Sequence, residues 1–218
     1  MNELRINQIS LIIFVVFIVL ITGCPVTPIT STVKGPDDTV VIEANSELFI
    51  LDAGTGIISF TTNDTKYSGE HGYTLWTEET AVQDPFVHLN VSLNKTGGNE
   101  AAGYGVVFGS HDSTMLVVLI NAYQEFIIGE LTGNLFTELQ VWEKDESLKS
   151  GYNKLNIIDI SYNPGTKDFS LSFNGGEITV FRDDDEPFHL IGKNGYMVVI
   201  SPLDNFPETA VSITFKKN

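Results

Sequence analysis

The residues best suited to chemistry in this chain are carboxylates, and they fall in two short clusters. Glu143-Lys144-Asp145-Glu146 places acids at alternate positions, and Asp183-Asp184-Asp185-Glu186 sets them in a row. Two carboxyl groups about 5 Å apart on one face can hydrolyse a glycosidic bond with retention. A cluster of carboxylate oxygens can hold Ca²⁺, which takes about 6–8 such ligands. In a strand, Glu143 and Asp145 would share a face while Glu146 would point away. With Lys144, Ser147 and Lys149 around them, they read as a solvated connection. Asp183, Asp184 and Asp185 run into Glu186 and Pro187 without EF-hand spacing or a turning glycine, so they read as an acidic turn. The histidines at 71, 88, 111 and 189 have neither His-x-x-x-His spacing nor cysteine partners, which argues against zinc. Ser110-His111-Asp112 has the residue types of a catalytic triad in tandem, and adjacent side chains diverge. No phosphate-loop glycine motif occurs.

Aromatic side chains offer a different chemistry, stacking on sugar rings. Trp142 in "LQVWEKDE" is the better candidate, because polar residues follow it at once. Trp76 in "GYTLWTEET" and Tyr123 are the others, with Tyr73 and Tyr104 nearby in type. A tryptophan on a sheet face commonly belongs to the core instead. His88, Asn90, Ser92 and Asn94 form a polar row that suits hydroxyl groups or water.

The single cysteine, Cys24, ends the longest apolar run, Leu11 to Ile21. As a helix this run rises about 16 Å, roughly half of a hydrocarbon core near 30 Å. It has the length of a secretory h-region, behind a weakly charged start with Arg5 against Glu3. Ile21-Thr22-Gly23-Cys24 resembles the lipobox of bacterial lipoproteins. The resemblance implies cleavage before Cys24, a diacylglycerol thioether on its sulfur and an amide-linked acyl chain such as palmitate on its new amine. Each buried methylene contributes about 0.8 kcal/mol, so two or three chains hold a domain firmly on a bilayer. No second cysteine exists to form a disulfide. Val26, rather than Asp, follows Pro25, which favours the outer membrane of a bacterial envelope and leaves the leaflet open.

Residues 1–23 therefore read as a signal peptide and residues 24–38 as the lipidated Cys with a Pro- and Thr-rich tether. Residues 39–218 read as one domain. The net charge of −16 argues against nucleic acid and against docking on anionic lipid heads.

Beyond Thr39, short apolar runs alternate with period two. Val87, Leu89, Val91 and Leu93 face one way and the polar row from His88 to Asn94 the other. Phe169-Leu171-Phe173 and Val211-Ile213-Phe215 repeat the pattern. Met115–Ala122 and Leu155–Ile160 are apolar on both faces and are expected in mid-sheet. Asn-Pro-Gly-Thr at 163–166 and Asn-Gly-Gly at 174–176 read as hairpin turns. About a dozen strands and no sustained helical period predict an all-β, two-sheet antiparallel sandwich or jelly roll.

"GYGVVFG" (103–109), "VWEKDESLKSGYNKLNI" (141–157) and "DFSLSFNGGEITVF" (168–181) resemble segments of the concanavalin A-like lectin/glucanase superfamily, in its laminin-G-like and family-16-like branches. This implies a concanavalin A-like jelly roll whose sheet face is often used for carbohydrate, a fold that also hosts adhesive modules. The glucanases of that group carry Glu-x-Asp-x-(x)-Glu on a strand. Here Ser147 and Leu148 stand where the last acid belongs. The expectation is a non-catalytic envelope lipoprotein that binds a glycan, with no cofactor beyond the lipid. A glycoside hydrolase with carboxylates from separate strands is one alternative, and a structural or adhesive lipoprotein with a protein partner is the other. The oligomeric state is open.

Overall fold

Period-two sequence becomes period-two burial. In the computed structural model, Leu89, Val91 and Leu93 are buried, while His88, Asn90, Ser92 and Asn94 are exposed or half-buried. The structure describes residues 41–44, 48–62, 72–79, 88–111, 114–132, 135–163, 166, 168–177, 179–182, 193–200 and 209–218. The segments read as a signal peptide and tether, Cys24 with them, and Asp183, Asp184 and Asp185 lie outside the described residues.

The described strands are β1 (Val41–Ala44), β2 (Phe49–Asp52), β3 (Ile57–Thr62), β4 (Gly72–Glu79), β5 (His88–Gly97), β6 (Gly103–His111) and β7 (Thr114–Ile120). They continue with β8 (Glu125–Thr132), β9 (Leu135–Lys144), β10 (Lys154–Asn163), β11 (Asp168–Phe173), β12 (Thr179–Arg182), β13 (Lys193–Ile200) and β14 (Val211–Lys217). They form two seven-stranded sheets. The first runs β1-β4-β13-β6-β7-β8-β9 and the second β12-β11-β10-β5-β14-β3-β2. Neighbours pair antiparallel except β1 with β4, a parallel edge pair that the alternation pattern does not encode. Edge strand β9 carries two register shifts against β8. Such bulges twist an edge and discourage pairing with another chain.

Between the sheets, inward positions of both sheets interlock in one apolar core. Aromatic pairs bridge it: Phe108–Phe169 at 5.7 Å, Phe126–Phe173 at 5.0 Å and Tyr196–Phe215 at 4.7 Å between centroids. These separations fall in the favourable range for tilted and offset rings. The first sheet also carries an apolar layer on its other face, formed by Val107, Val117, Leu119, Ile127, Leu131, Met197 and Val199. β7 is thus buried on both faces, as its continuous apolar sequence predicts. β10 is not. Leu155 is 51% exposed, and Ile157 and Asp159 are half-buried, because the outer face of the second sheet is solvated.

Candidate functional site

Three connections gather at one end of the sandwich: 98–102 after β5, 121–124 after β7 and 145–153 after β9. Each is tied to the next through the backbone. The Ala122 N–H donates to the Glu100 carbonyl at 3.0 Å, and the Gly151 N–H donates to the Ala122 carbonyl at 2.9 Å. The Asp145 N–H donates to the Gln124 carbonyl at 3.0 Å. The Tyr152 hydroxyl donates to the Gly98 carbonyl and closes the circuit.

The 121–124 turn is fixed from within. Buried Asn121 accepts from the N–H groups of Tyr123 (2.9 Å) and Glu125 (3.1 Å), and its amide donates to the Glu125 carboxylate at 2.8 Å. Gln124 takes a left-handed φ of 67° and donates to the Leu148 carbonyl at 2.6 Å. An asparagine that accepts backbone N–H groups stabilises this kind of turn. The result is a Tyr123 ring held out at 47% exposure on a rigid stem. Tyr152 stands close by. Burial raises its phenol pKa first, and the charges of Glu100 and Tyr123 raise it further. The backbone bonds thus gather Tyr123, the half-buried Tyr152 and the exposed Glu100 as a rim at this end of the sandwich.

Trp142 belongs to the same end of the first sheet, one residue before Glu143, the register partner of Phe126. Its half-buried indole packs on the outer-face apolar layer. The reason it fits is Gly103 at the start of β6, where a Cβ would lie 3.0 Å from Trp142 Cη2 and 3.2 Å from Cζ2. Phe136 uses the same device: a Cβ on Gly129 would fall 2.5 Å from its Cζ. Two rings of the edge strand β9 therefore fold back over glycines of β6 and β8. Trp142 is neither a free platform nor a core residue. One part of it is seated and one part is open.

The other sequence candidates separate from this end. Trp76 is the register partner of Tyr196 on β13, and β13, β6, β7 and β8 lie between its strand and β9. At the usual strand spacing that is about 24 Å along the sheet, too far for one platform with Trp142. Glu143 and Lys144 belong to β9 rather than to a loop, which begins only at Asp145. Glu143 accepts from Gln140 Nε2 at 2.6 Å. The Asp145 carboxylate caps its own turn, accepting from the Ser147 N–H at 2.8 Å and from the Ser147 hydroxyl. Among the described residues, no group of three or more His, Cys, Asp or Glu could hold a metal ion.

The polar row lies on the outer face of the second sheet, where His88, Asn90 and Ser92 are spent on Asp159 and Asn218 while Asn94 Oδ1 is buried without a hydrogen-bond partner. Asp159 accepts from Asn90 Nδ2 at 2.5 Å and lies 3.1 Å from His88 Nε2. Asn218 Nδ2 donates to Asn90 Oδ1 at 2.5 Å and to Ser92 Oγ at 2.9 Å. Sequence reading missed Glu100 and Tyr152, which only long-range hydrogen bonds bring to Tyr123. It also missed Lys95, whose signal was available: it extends the inward row Leu89, Val91, Leu93 by one step.

No protein-family model matches this sequence, and no curated protein matches it. Among solved structures, the fold is similar to a family-16 glycoside hydrolase of the Bacteroides ovatus mixed-linkage glucan locus, in complex with a G4G4G3G product. That match has a TM-score of 0.53 at 6% identity and covers 83% of this chain and 90% of that one. A Bacillus licheniformis β-glucanase matches with a TM-score of 0.51 at 6% identity, over 84% of this chain and 86% of that one. At such identities the likeness is one of architecture. With two sheets, no helix among the described residues and these neighbours, the chain has the concanavalin A-like jelly-roll fold.

Proposed function

We propose that this chain is a lipid-anchored, non-catalytic module that binds a neutral glycan at the surface of a bacterial envelope membrane. The observation that carries the reading is the rim of Tyr123, Tyr152 and Glu100, pinned by backbone hydrogen bonds between three loops. An exposed phenol such as that of Tyr123 stacks on the apolar face of a sugar ring, and the exposed Glu100 carboxylate is free to accept from its hydroxyls. Rigid placement lowers the entropy cost of binding. The net charge of −16 disfavours uronate-rich or sulfated chains, so the ligand is neutral. Both structural neighbours named above carry glucan names, which supports the ligand class by analogy of fold.

The non-catalytic part rests on the acidic segment. Glu143 and Asp145 do not form a facing pair, since one is bonded to Gln140 and the other caps a turn. Retaining hydrolysis needs such a pair about 5 Å apart. The anchor rests on Cys24 in its lipobox-like setting. Cys24→Ala is expected to abolish the lipid label and the cleavage at this site while the folded domain stays soluble. A variant that partitions like the parent, with no lipid label on either, would overturn the anchor.

The ligand reading is tested on a panel of neutral, uronate-bearing and sulfated glycans probed with the full-length chain in detergent. Binding confined to neutral members is expected, without release of reducing ends. Retention of only the anionic members, or of none, would overturn it.

A further inference from the structure

Lys95 occupies a position that the alternation of β5 assigns to the core, and it is 0% exposed. Its ammonium finds its partners in the 98–102 connection. Nζ donates to the main-chain carbonyls of Asn99, of Ala102 at 2.9 Å and of Glu100 at 3.4 Å. An ammonium has three donors, and the connection supplies three acceptors. Two of these carbonyls already take a backbone N–H, Asn99 from Ala102 and Glu100 from Ala122, so Lys95 uses their second lone pairs. The Tyr104 ring completes the enclosure, its centroid 5.5 Å from Nζ, within cation–π range. The connection begins at Gly98, whose φ is 92° and where a Cβ would fall 2.4 Å from the Val211 Cα. Any other residue there would push the segment away from the core.

Converging main-chain carbonyls around a positive charge are the chemistry of a cation site. We propose that the 98–102 connection is a site for a primary ammonium, that the tethered side chain of Lys95 is its resident ion, and that this ion positions the loop rim. The coupling runs through named bonds. The Glu100 carbonyl that meets Lys95 also accepts from Ala122, Ala122 accepts from Gly151, and Tyr152 reaches back to Gly98. The ammonium touches one loop and steadies three, while the Lys95 carbonyl separately takes the Asn153 N–H of the 145–153 connection at 2.8 Å. Burial pulls its ammonium down to about 7, with the charge of Glu100 opposing that shift. The ammonium is therefore mostly charged in mildly acidic solution. The inference concerns the scaffold of the rim and does not rest on the glycan reading.

The test uses the full-length chain in detergent at about pH 6, below the Lys95 titration. Lys95→Ala keeps Cβ and removes a propylammonium's worth of side chain. Its melting temperature is expected to fall by about 5–10 °C. Amide exchange at Ala101, Ala122 and Gly151 is expected to quicken by at least about tenfold. Added propylammonium restores both, and 1-propanol, of equal length and uncharged, restores neither. Lys95→Met keeps the packing volume without the ion, so it stays folded while the same amides exchange quickly. The proposal is overturned if Lys95→Met protects those amides like the parent. It is equally overturned if propylammonium restores Lys95→Ala no better than propanol does.

Discussion

Along β7 the outward positions are Met115, Val117 and Leu119, and along β5 they are His88, Asn90, Ser92 and Asn94. Both strands lie in the interior of a sheet, and both turn their other face to the same inter-sheet core. Yet the outer face of the first sheet is an apolar layer, and that of the second is a solvated face where His88, Asn90 and Ser92 bond to Asp159 and Asn218 beside the exposed Leu155. The difference shows what a strand's outward residues decide. Continuous apolar sequence makes a second core, and strict alternation makes a solvated face. Only the apolar face gives a large ring something to lean on. That is where Trp142 and Phe136 are seated, each over a glycine.

The comparison breaks most visibly with a charge. Val117→Asp places a carboxylate at a position that is 0% exposed, with no partner designed for it. Unfolding in urea is expected to show a loss of about 4 kcal/mol or more. A parent-like midpoint would mean that the outer layer is not a core. Trp142→Ala removes a half-buried ring from Gly103 and the outer apolar layer and is expected to cost about 2 kcal/mol, below the usual cost at a full core site. Gly103→Ala probes the same seat from below. Its new Cβ would lie 3.0 Å from the indole, so the ring must shift, at about 1 kcal/mol. If Gly103→Ala costs nothing while Trp142→Ala costs the full amount, the ring leans elsewhere. On the opposite sheet, Asp159→Asn replaces the carboxylate that meets His88 and Asn90 at the surface, and denaturation should register under about 1 kcal/mol. A large loss there would erase the distinction between the two faces.

The same residues show what the sequence makes legible. Period-two burial in β5, β11 and β14 follows directly from apolar residues at alternate positions. The two-faced burial of β7 follows from its unbroken apolar run. Leu155–Ile160 looks similar in composition, but Asn156 and Asp159 interrupt it. The sheet that holds it has a wet outer face, and neither local propensity nor period reports what covers a face. Lys95 was readable as a charge in an inward row. Its partners were not, because carbonyls carry no sequence signature. Tyr123 could be chosen by type, whereas Glu100 and Tyr152 join it only through bonds that span distant loops. Tyr152 reaches Gly98 across 54 positions. The split between Trp76 and Trp142 is likewise a matter of strand order, which composition does not encode.

If the Tyr123–Tyr152–Glu100 rim binds a neutral glycan, Tyr123→Ala removes its most exposed ring. About half of the ring is open and its turn is held by Asn121, so the variant should melt like the parent. Calorimetric titration with the best neutral glycan of the panel should then show affinity falling by about tenfold, equivalent to about 1.4 kcal/mol of lost stacking. Equal affinities in two equally stable proteins would contradict the account.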